Sequence, residues 1–509
     1  MQSRTNERDM TAVIPRLRDM QLIRRDPWGE DESHPPLDVP TDEPPVGVTS
    51  WLVPGLVMAT LGLIGIGRPA LWTDELATWG VARSSWSEMF ALLRWVDAII
   101  GPYYALVHGW AELAGTSDTA LRLPSVLAMA GAAALIGALG ARLASPRAGL
   151  TAGLLFALLP TSSRFAQEAR VYAFVVLCAA LATYLLVRAV TRPRLWRWLA
   201  YLLAVAALGL LHPIALLLLA AHGWVVLAHY RGRTVGWLLA ATVGALPALP
   251  LLRLGNQQKS QVAWIPPADV QTLLTLPREI FGVAWVGLLV GLLALFSLPL
   301  RRPVATLTAW ATVPILGLYA AAQVTPLFLP RYLLFTLPAW ALLAGVALGR
   351  VHVGLTIGTL AVIIALAVPQ QLAIREPDGH SEAGHQLAAL IADGYRTGDG
   401  VVYGSQDPGG SWVARDTVEH YVPANRRPLD LLATRPQRTG GQLAATECAD
   451  TARCLGEASR LWIVRLGYHG DAVSGLGEPK EILLRQHYLA GQTWHLPGFT
   501  LALVTRRPS

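Results

Sequence analysis

Residues 164–194 read RFAQEARVYAFVVLCAALATYLLVRAVTRPR. The stretch opens on Arg164, Gln167, Glu168 and Arg170, passes through the apolar run 171–190, and closes on Arg188, Arg192 and Arg194. A helical run of that length crosses the roughly 30 Å hydrocarbon core of a bilayer. Its two ends differ in kind: one mixes an acid with arginines, and the other carries arginines alone. The same alternation continues in both directions along the chain. Apolar blocks fall at about 50–70, 121–141, 148–164, 171–190, 197–211, 213–229, 234–252, 280–299, 303–322, 333–349 and 353–373. The pattern predicts an all-α polytopic membrane protein with about eleven transmembrane helices.

Composition agrees. Of 509 residues, 53% are hydrophobic and 15% charged, with a mean hydropathy of +0.42. A soluble domain carries roughly 25% charged residues, so a water-soluble chain of this length would lack the charge to cover its surfaces. The net charge of +7 does not point to nucleic acid, because the arginines sit in short loops and not in a basic stripe. Those loops hold Arg142 and Arg147; Arg188, Arg192, Arg194 and Arg197; Arg231 and Arg233; Arg301 and Arg302; and Arg350. All fall on one side of an eleven-span thread, which the positive-inside rule places in the cytoplasm together with the N-terminus. An odd number of spans through the plasma (inner) membrane then puts the C-terminus outside.

Three regions follow. Residues 1–48 mix Arg, Asp, Glu and Pro and read as a disordered cytoplasmic tail. The first apolar block starts near Trp51 without a small-residue cleavage pattern, so it reads as a retained helix. Residues 49–373 form the membrane domain, with a large extracytoplasmic loop at 71–120 that holds interfacial helices. Residues 374–509 read as a small extracytoplasmic α/β domain, from a helical stretch at 382–396 and β-type runs at 400–403, 461–464 and 501–504. Cys178 lies in an apolar block and reads as packing. Cys448 and Cys454 are expected to pair if the tail lies on the oxidising side, and to be two free thiols otherwise.

The unusual charges cluster on the side away from the arginine loops. Leu71-Trp72-Thr73-Asp74-Glu75 places two carboxylates at a membrane boundary. There one can act as a general base and the other can orient it or bind a metal; alternatively Thr73 or Asp74 caps an interfacial helix running toward Trp95. Asp97 precedes Gly101-Pro102-Tyr103-Tyr104 and His108, a short aromatic stretch that reads equally as interfacial anchoring. Glu168 and Arg170 sit between two spans, as site residues or as an ion-paired hinge. Arg331, in Pro330-Arg331-Tyr332-Leu333, either snorkels to lipid headgroups or clamps a phosphate. His212, at another outer helix end, reads most simply as a satisfied interface residue. The chain lacks GxxxxGK[ST], HExxH and any cysteine metal cluster. The cytoplasmic loops are too short for a nucleotide site.

In this order, Trp72-Thr73-Asp74-Glu75, Gly101-Pro102-Tyr103-Tyr104, Leu121-Arg122-Leu123-Pro124-Ser125, Gln167-Glu168-Ala169-Arg170-Val171-Tyr172 and Arg331-Tyr332-Leu333 resemble the GT-C superfamily of integral-membrane glycosyltransferases. The nearest branch resembles the protein O-mannosyltransferases and lipid A aminoarabinose transferases, whose actinobacterial relatives are described as mannosyltransferases. The resemblance spans roughly 50–350. It implies a GT-C fold and inverting transfer of a sugar, mannose first, from a polyprenyl-phosphate donor to a glycan, lipid or protein hydroxyl outside the membrane. It implies Asp74 as the base, with Glu75 as its neighbour and Glu168 contacting the acceptor or orienting the site. Arg331 and Arg170, with Tyr172 and Tyr332, would bind the lipid phosphate. Asp97, Tyr103, Tyr104, His108 and His212 would line the sugar or acceptor cavity. Where the family often has a His before the Tyr-Tyr run, this chain has Ile99 and Ile100. No cofactor is demanded, although Asp74, Glu75 and Glu168 are the set that would hold a divalent cation. The alternatives are an arabinosyl or other pentosyl transferase of the same fold, a membrane transporter, and a non-catalytic envelope-assembly protein. A transporter would show charges in mid-span and inverted repeats, and neither is visible.

Overall fold

The computed structural model of the chain describes residues 46–299, 302–405, 407 and 410–508. The tail expected at 1–48 therefore lies, up to residue 45, outside the described residues. The membrane part begins with α1 (Val48–Leu63). Three short helices follow at one end of the bundle: α2 (Thr73–Arg83), α3 (Trp86–Leu93) and α4 (Gly101–Ala114). Then come α5 (Asp118–Leu143), α6 (Pro146–Leu158), α7 (Pro160–Ala166), α8 (Tyr172–Thr191), α9 (Leu195–Leu211) and α10 (Leu218–His229). The remainder are α11 (Thr234–Ala245), α12 (Leu249–Gln257), α13 (Val270–Phe281), α14 (Ala284–Phe296), α15 (Arg302–Ala322), α16 (Leu337–Gly349) and α17 (Val353–Ala373).

Among the described residues, six helical stretches are long and apolar enough to cross a membrane: Asp118–Leu143, Tyr172–Thr191, Arg231–Gln257, Val304–Ala322, Pro330–Gly349 and Val353–Ala373. Four shorter apolar helices, Val48–Leu63, Pro146–Leu158, Leu195–Leu211 and Pro213–His229, occupy other expected blocks. The block at 280–299 differs from a straight span. Helices α13 and α14 meet at 96° across Gly282, whose φ of +78° suits a residue without Cβ. The block at 148–164 is broken at Pro160, which cannot donate the hydrogen bond a continuous helix needs. The interfacial helix expected to reach Trp95 is split at Ser84. Ser85 and Glu88 form a capping box that starts α3 afresh.

Small residues let α1, α5 and α6 approach backbone to backbone. A Cβ on Gly137 would stand 2.0 Å from the Ser50 carbonyl oxygen, and one on Gly149 2.2 Å from that of Gly137. The bundle core holds Trp310, Phe335, Phe156 and Met58. Leu355, Ile357, Val362 and Ile364 stay exposed on both sides of α17, as apolar side chains that meet lipid can.

The C-terminal part is α18 (Gly384–Gly394), β1 (Gly400–Tyr403), α19 (Ser411–Tyr421), β2 (Leu429–Asp430), β3 (Ala433–Arg435), β4 (Thr446–Glu447), α20 (Thr451–Leu455), β5 (Arg460–Leu466), α21 (Glu478–His487), β6 (Tyr488–Leu496) and β7 (Phe499–Arg506). Five strands form one sheet in the order β2-β1-β5-β7-β6, parallel across β2, β1 and β5, and antiparallel onward. Leu387, Ile391 and Val418 pack on one face around Trp462, and Leu455 and Leu484 on the other around Ile463. Cys448 and Cys454 are joined in a disulfide. Strand β6 was not expected from sequence, because most of its side chains are polar or small and exposed.

Candidate active site

The site is built on the first turn of α2. Trp72, its N-cap residue, supplies no side-chain cap. The oxygen comes instead from Glu382, whose Oε1 accepts from the Thr73 amide at 2.9 Å and the Thr73 hydroxyl at 2.6 Å. Neither Thr73 nor Asp74 is the N-cap that the sequence allowed. Burial pushes the Glu382 carboxyl up to about 7, against the pull of its bonds from Thr73. Asp74 and Glu75 follow at the end of the helix where the dipole favours negative charge. Successive residues are about 100° apart around the axis, and the two carboxylates face different surroundings.

Glu75 is sealed. Its Oε1 accepts from Arg122 Nε at 2.7 Å and the Ala169 amide at 2.8 Å; its Oε2 takes Arg122 Nη2 at 2.6 Å and stands 3.2 Å from His380 Nδ1. Burial alone would raise its pKa, but the Arg122 guanidinium and His380 outweigh it and hold the carboxyl far below the usual range. Arg122 also donates to the carbonyls of Ile66, Pro69 and Ala70, so it ties the chain entering α2 to α5.

Asp74 is the less enclosed acid, its side chain 22% exposed although its Oδ2 atom is buried. Its Oδ2 has no hydrogen-bond partner among the described residues. It lies 3.8 Å from Arg170 Nη2 and 3.7 Å from Arg331 Nη2. Arg170 comes from the turn between α7 and α8, and Arg331 from the 3-10 stretch Pro330–Thr336 that leads into α16. Arg170 Nη1 also donates to the Asp74 carbonyl at 3.3 Å and to the Tyr104 hydroxyl at 3.2 Å. The Tyr104 hydroxyl in turn donates to Asp97 Oδ2 at 2.8 Å. The Nε atoms of both arginines are buried and have no hydrogen-bond partner among the described residues. The structure thus brings Asp74, Arg170, Arg331, Tyr104 and Asp97 into one polar chain.

Glu168 is buried beside them, with Oε2 on Arg164 and Oε1 unpartnered. Burial raises its pKa to about 7; Arg164 opposes the rise, and Glu75 and Asp74 add to it. Tyr172, His212 and Tyr332 form an aromatic group, with His212 ring centroids 4.8 Å from Tyr332 and 6.1 Å from Tyr172. Burial, with Arg170 and Arg331 nearby, lowers the His212 pKa to about 4, so this ring is neutral. Tyr103 is fully buried beneath Tyr104 and Phe174. His108 stands apart from the Asp74 group: its Nδ1 is 3.1 Å from the Val81 carbonyl, and its ring packs on Trp86 at 4.2 Å, anchoring α4 to α2 and α3.

A cleft of about 590 Å³ opens beside this group. Arg164, Arg278 and Arg331 line it together with the apolar side chains of Phe165, Leu329 and Leu334. Arg331 lies over the rings of Trp72 and Trp264, each 5.9 Å from its guanidinium carbon. As a cation ligand set, Asp74, Glu75 and Glu168 do not converge, since Glu75 turns to Arg122. No group of three or more His, Cys, Asp or Glu side chains among the described residues could hold a metal ion. Sequence reasoning gave no role to Arg122, Arg164, Arg278, His380 or Glu382. Arg122 had a signal, a charge set at the start of an apolar helical run. His380 and Glu382 had none, because their partners lie about 300 positions away.

Residues 102–253 match the family described as dolichyl-phosphate-mannose-protein mannosyltransferase. Among solved structures, the chain is similar to ArnT from Cupriavidus metallidurans bound to undecaprenyl phosphate, with a TM-score of 0.59 and 16% identity over 89% of this chain and 98% of that one. It is also similar to the same protein in the apo state, with a TM-score of 0.58 and 15% identity over 90% and 98%. No curated protein matches the sequence. The chain therefore has the ArnT-like GT-C fold expected from its motifs, with a small strand-containing C-terminal domain.

Proposed function

We propose that this GT-C chain is a membrane glycosyltransferase that moves a sugar from a polyprenyl-phosphate donor to a hydroxyl acceptor, on the outer face of the plasma membrane. The observation that carries the proposal is Asp74, an acid without a hydrogen-bond partner on Oδ2, held between two guanidiniums at 3.7 and 3.8 Å. In the reaction Asp74 takes the proton from the acceptor hydroxyl as its oxygen forms a bond to the anomeric carbon. The bond from that carbon to the phosphate oxygen breaks on the opposite face, so configuration inverts. Polyprenyl phosphate leaves with the electron pair, and Arg331 and Arg170 meet the charge that develops on it. The apolar side chains of the cleft suit the polyprenyl chain, and Arg164 and Arg278 add positive charge to its lining. ArnT, of the same fold, binds undecaprenyl phosphate, which supports a lipid-phosphate donor here.

Mannose is the favoured sugar, on the description of the family matched at 102–253. Glu168 and the aromatic group of Tyr172, His212 and Tyr332 belong to the sugar and phosphate surroundings. Tyr104 and Asp97 hold Arg170 in place, and Glu75 positions α2 without touching substrate. The test is transfer from polyprenyl-phosphate mannose by purified protein, with the pentose donor in parallel. Asp74→Asn should lower turnover by about a hundredfold or more, the range for a lost general base, with unchanged thermal melting. Full activity in that variant removes Asp74 from the role.

A further inference from the structure

The C-terminal segment does more than follow the last span. Between Arg375 and Glu382 it runs along the chain that enters α2 and is bonded to it through Arg375, Pro377, His380 and Glu382. Arg375 donates to the carbonyls of Leu61 and Ile64 at 2.6 and 3.0 Å, and the Pro377 carbonyl accepts from the Ala70 amide at 2.9 Å. His380 meets Glu75, and Glu382 caps Thr73. Farther along, the Tyr421 hydroxyl accepts from the Leu71 amide at 2.7 Å and donates to Asp118 at 2.9 Å. Arg438, paired with Asp416, fills the space a Cβ on Gly80 would need, and Glu419 bonds Arg83 at the end of α2. The C-terminal part therefore contacts α2 from its first residue to its last.

From this geometry we propose that Glu382 is a positioning residue for sugar transfer, a remote N-cap that fixes the first turn of α2 and with it the place of Asp74 between Arg170 and Arg331. The inference rests on the assignment of Asp74 as the base. An orphan amide at an N-cap normally finds a side chain from its own turn; here Trp72 has none to offer, and the cap arrives from 309 residues away. Glu382 is buried, so no solvent molecule stands in readily when it is removed. A general base displaced by about an ångström loses rate while substrate binding persists. The residue acts through α2 and does not itself touch substrate.

The experiment uses the full chain in detergent or nanodiscs. Hydrogen exchange of the peptide covering 71–83 is measured alongside kcat and the donor KM for Glu382→Ala and Glu382→Gln. The amide of Gln retains an oxygen that accepts from Thr73. Positioning predicts that Glu382→Ala speeds exchange in the first turn of α2, with exchange in α5 and α16 unchanged. It also predicts kcat lowered about tenfold or more and donor KM within about twofold, whereas Glu382→Gln stays near wild type in both readouts. Unchanged exchange at 71–83 in Glu382→Ala overturns the proposal, as does faster exchange throughout the bundle in both variants. If Glu382→Ala does not fold, Glu382→Asp shortens the side chain by one methylene and withdraws the cap from the Thr73 amide while keeping the charge. Faster first-turn exchange in that variant supports the cap, and wild-type exchange refutes it. The exchange readout stands whether or not the wild-type chain transfers sugar, so failure of the cap and failure of the transferase assignment are told apart.

Discussion

At the scale of the residue, Asp74 and Glu75 are chemically alike and adjacent, yet one is partly exposed and the other is closed in by Arg122, the Ala169 amide and His380. Removing one partner of a buried pair leaves the other charge uncompensated, at a cost of about 3–5 kcal/mol. Glu75→Gln should therefore lower the melting temperature and the yield of folded protein, where Asp74→Asn should not; equal melting of the two variants would contradict the burial described. Glu168 carries a pH dependence whose sign follows from its environment. Its carboxyl is raised to about 7 by burial, so it is mostly neutral at pH 6 and mostly ionised at pH 8. Ionised, it competes with a donor phosphate for Arg164 and adds negative charge near Asp74. The donor KM should rise about threefold or more from pH 6 to pH 8 and become flat in Glu168→Gln. A KM that falls over that range would reverse the assignment. The pair at 74–75 was legible in sequence as a place of chemistry. Which carboxylate is sealed in a salt bridge was not, because that depends on Arg122 arriving from another helix.

Elements were legible in proportion to the length of their apolar runs. The long spans α5, α8 and α17 declare themselves by composition alone. Breaks were harder, since Pro160 and Gly282 each interrupt a hydrophobic block without changing its hydropathy, and only the backbone records the turn. The capping box at Ser85 and Glu88 was written in the sequence, but the amphipathic pattern runs on beyond it and masks the restart. Helix contacts belong to this scale as well. Gly137 faces the Ser50 carbonyl so closely that any side chain must push α1 away from α5. Gly137→Val should destabilise by about 1–3 kcal/mol or more, the usual range for overpacking, read as a lower melting temperature in detergent. Gly232→Val, at a position where an added Cβ meets nothing within 4 Å, is the matched control and should melt like wild type.

For the whole molecule, the direction of the thread decides where the chemistry faces. Helix α8 runs from Tyr172, at the site, to Arg188; α9 returns to His212, which packs on Tyr332; and α10 leads away again to Arg231 and Arg233. The arginine loops and the Asp74 group thus lie at opposite ends of the same helices. On the topology proposed above, in which the positive-inside rule sets those loops in the cytoplasm, the site and the C-terminal domain face outside. That domain's strands could be glimpsed in sequence as short β-type runs, but its contact with α2 could not, because pairings such as Glu382 with Thr73 leave no local periodicity. Single cysteines in a Cys178→Ser background test the orientation, with Cys448 and Cys454 already paired. Tyr468→Cys, at a side chain 77% exposed on the C-terminal domain, should react with a membrane-impermeant maleimide on intact cells. Gly232→Cys, between Arg231 and Arg233, should react only after the membrane is opened. The reverse pattern would place Asp74, Arg170 and Arg331 in the cytoplasm. A donor presented on the outer leaflet could not reach them there, and the proposed reaction would fall with the topology.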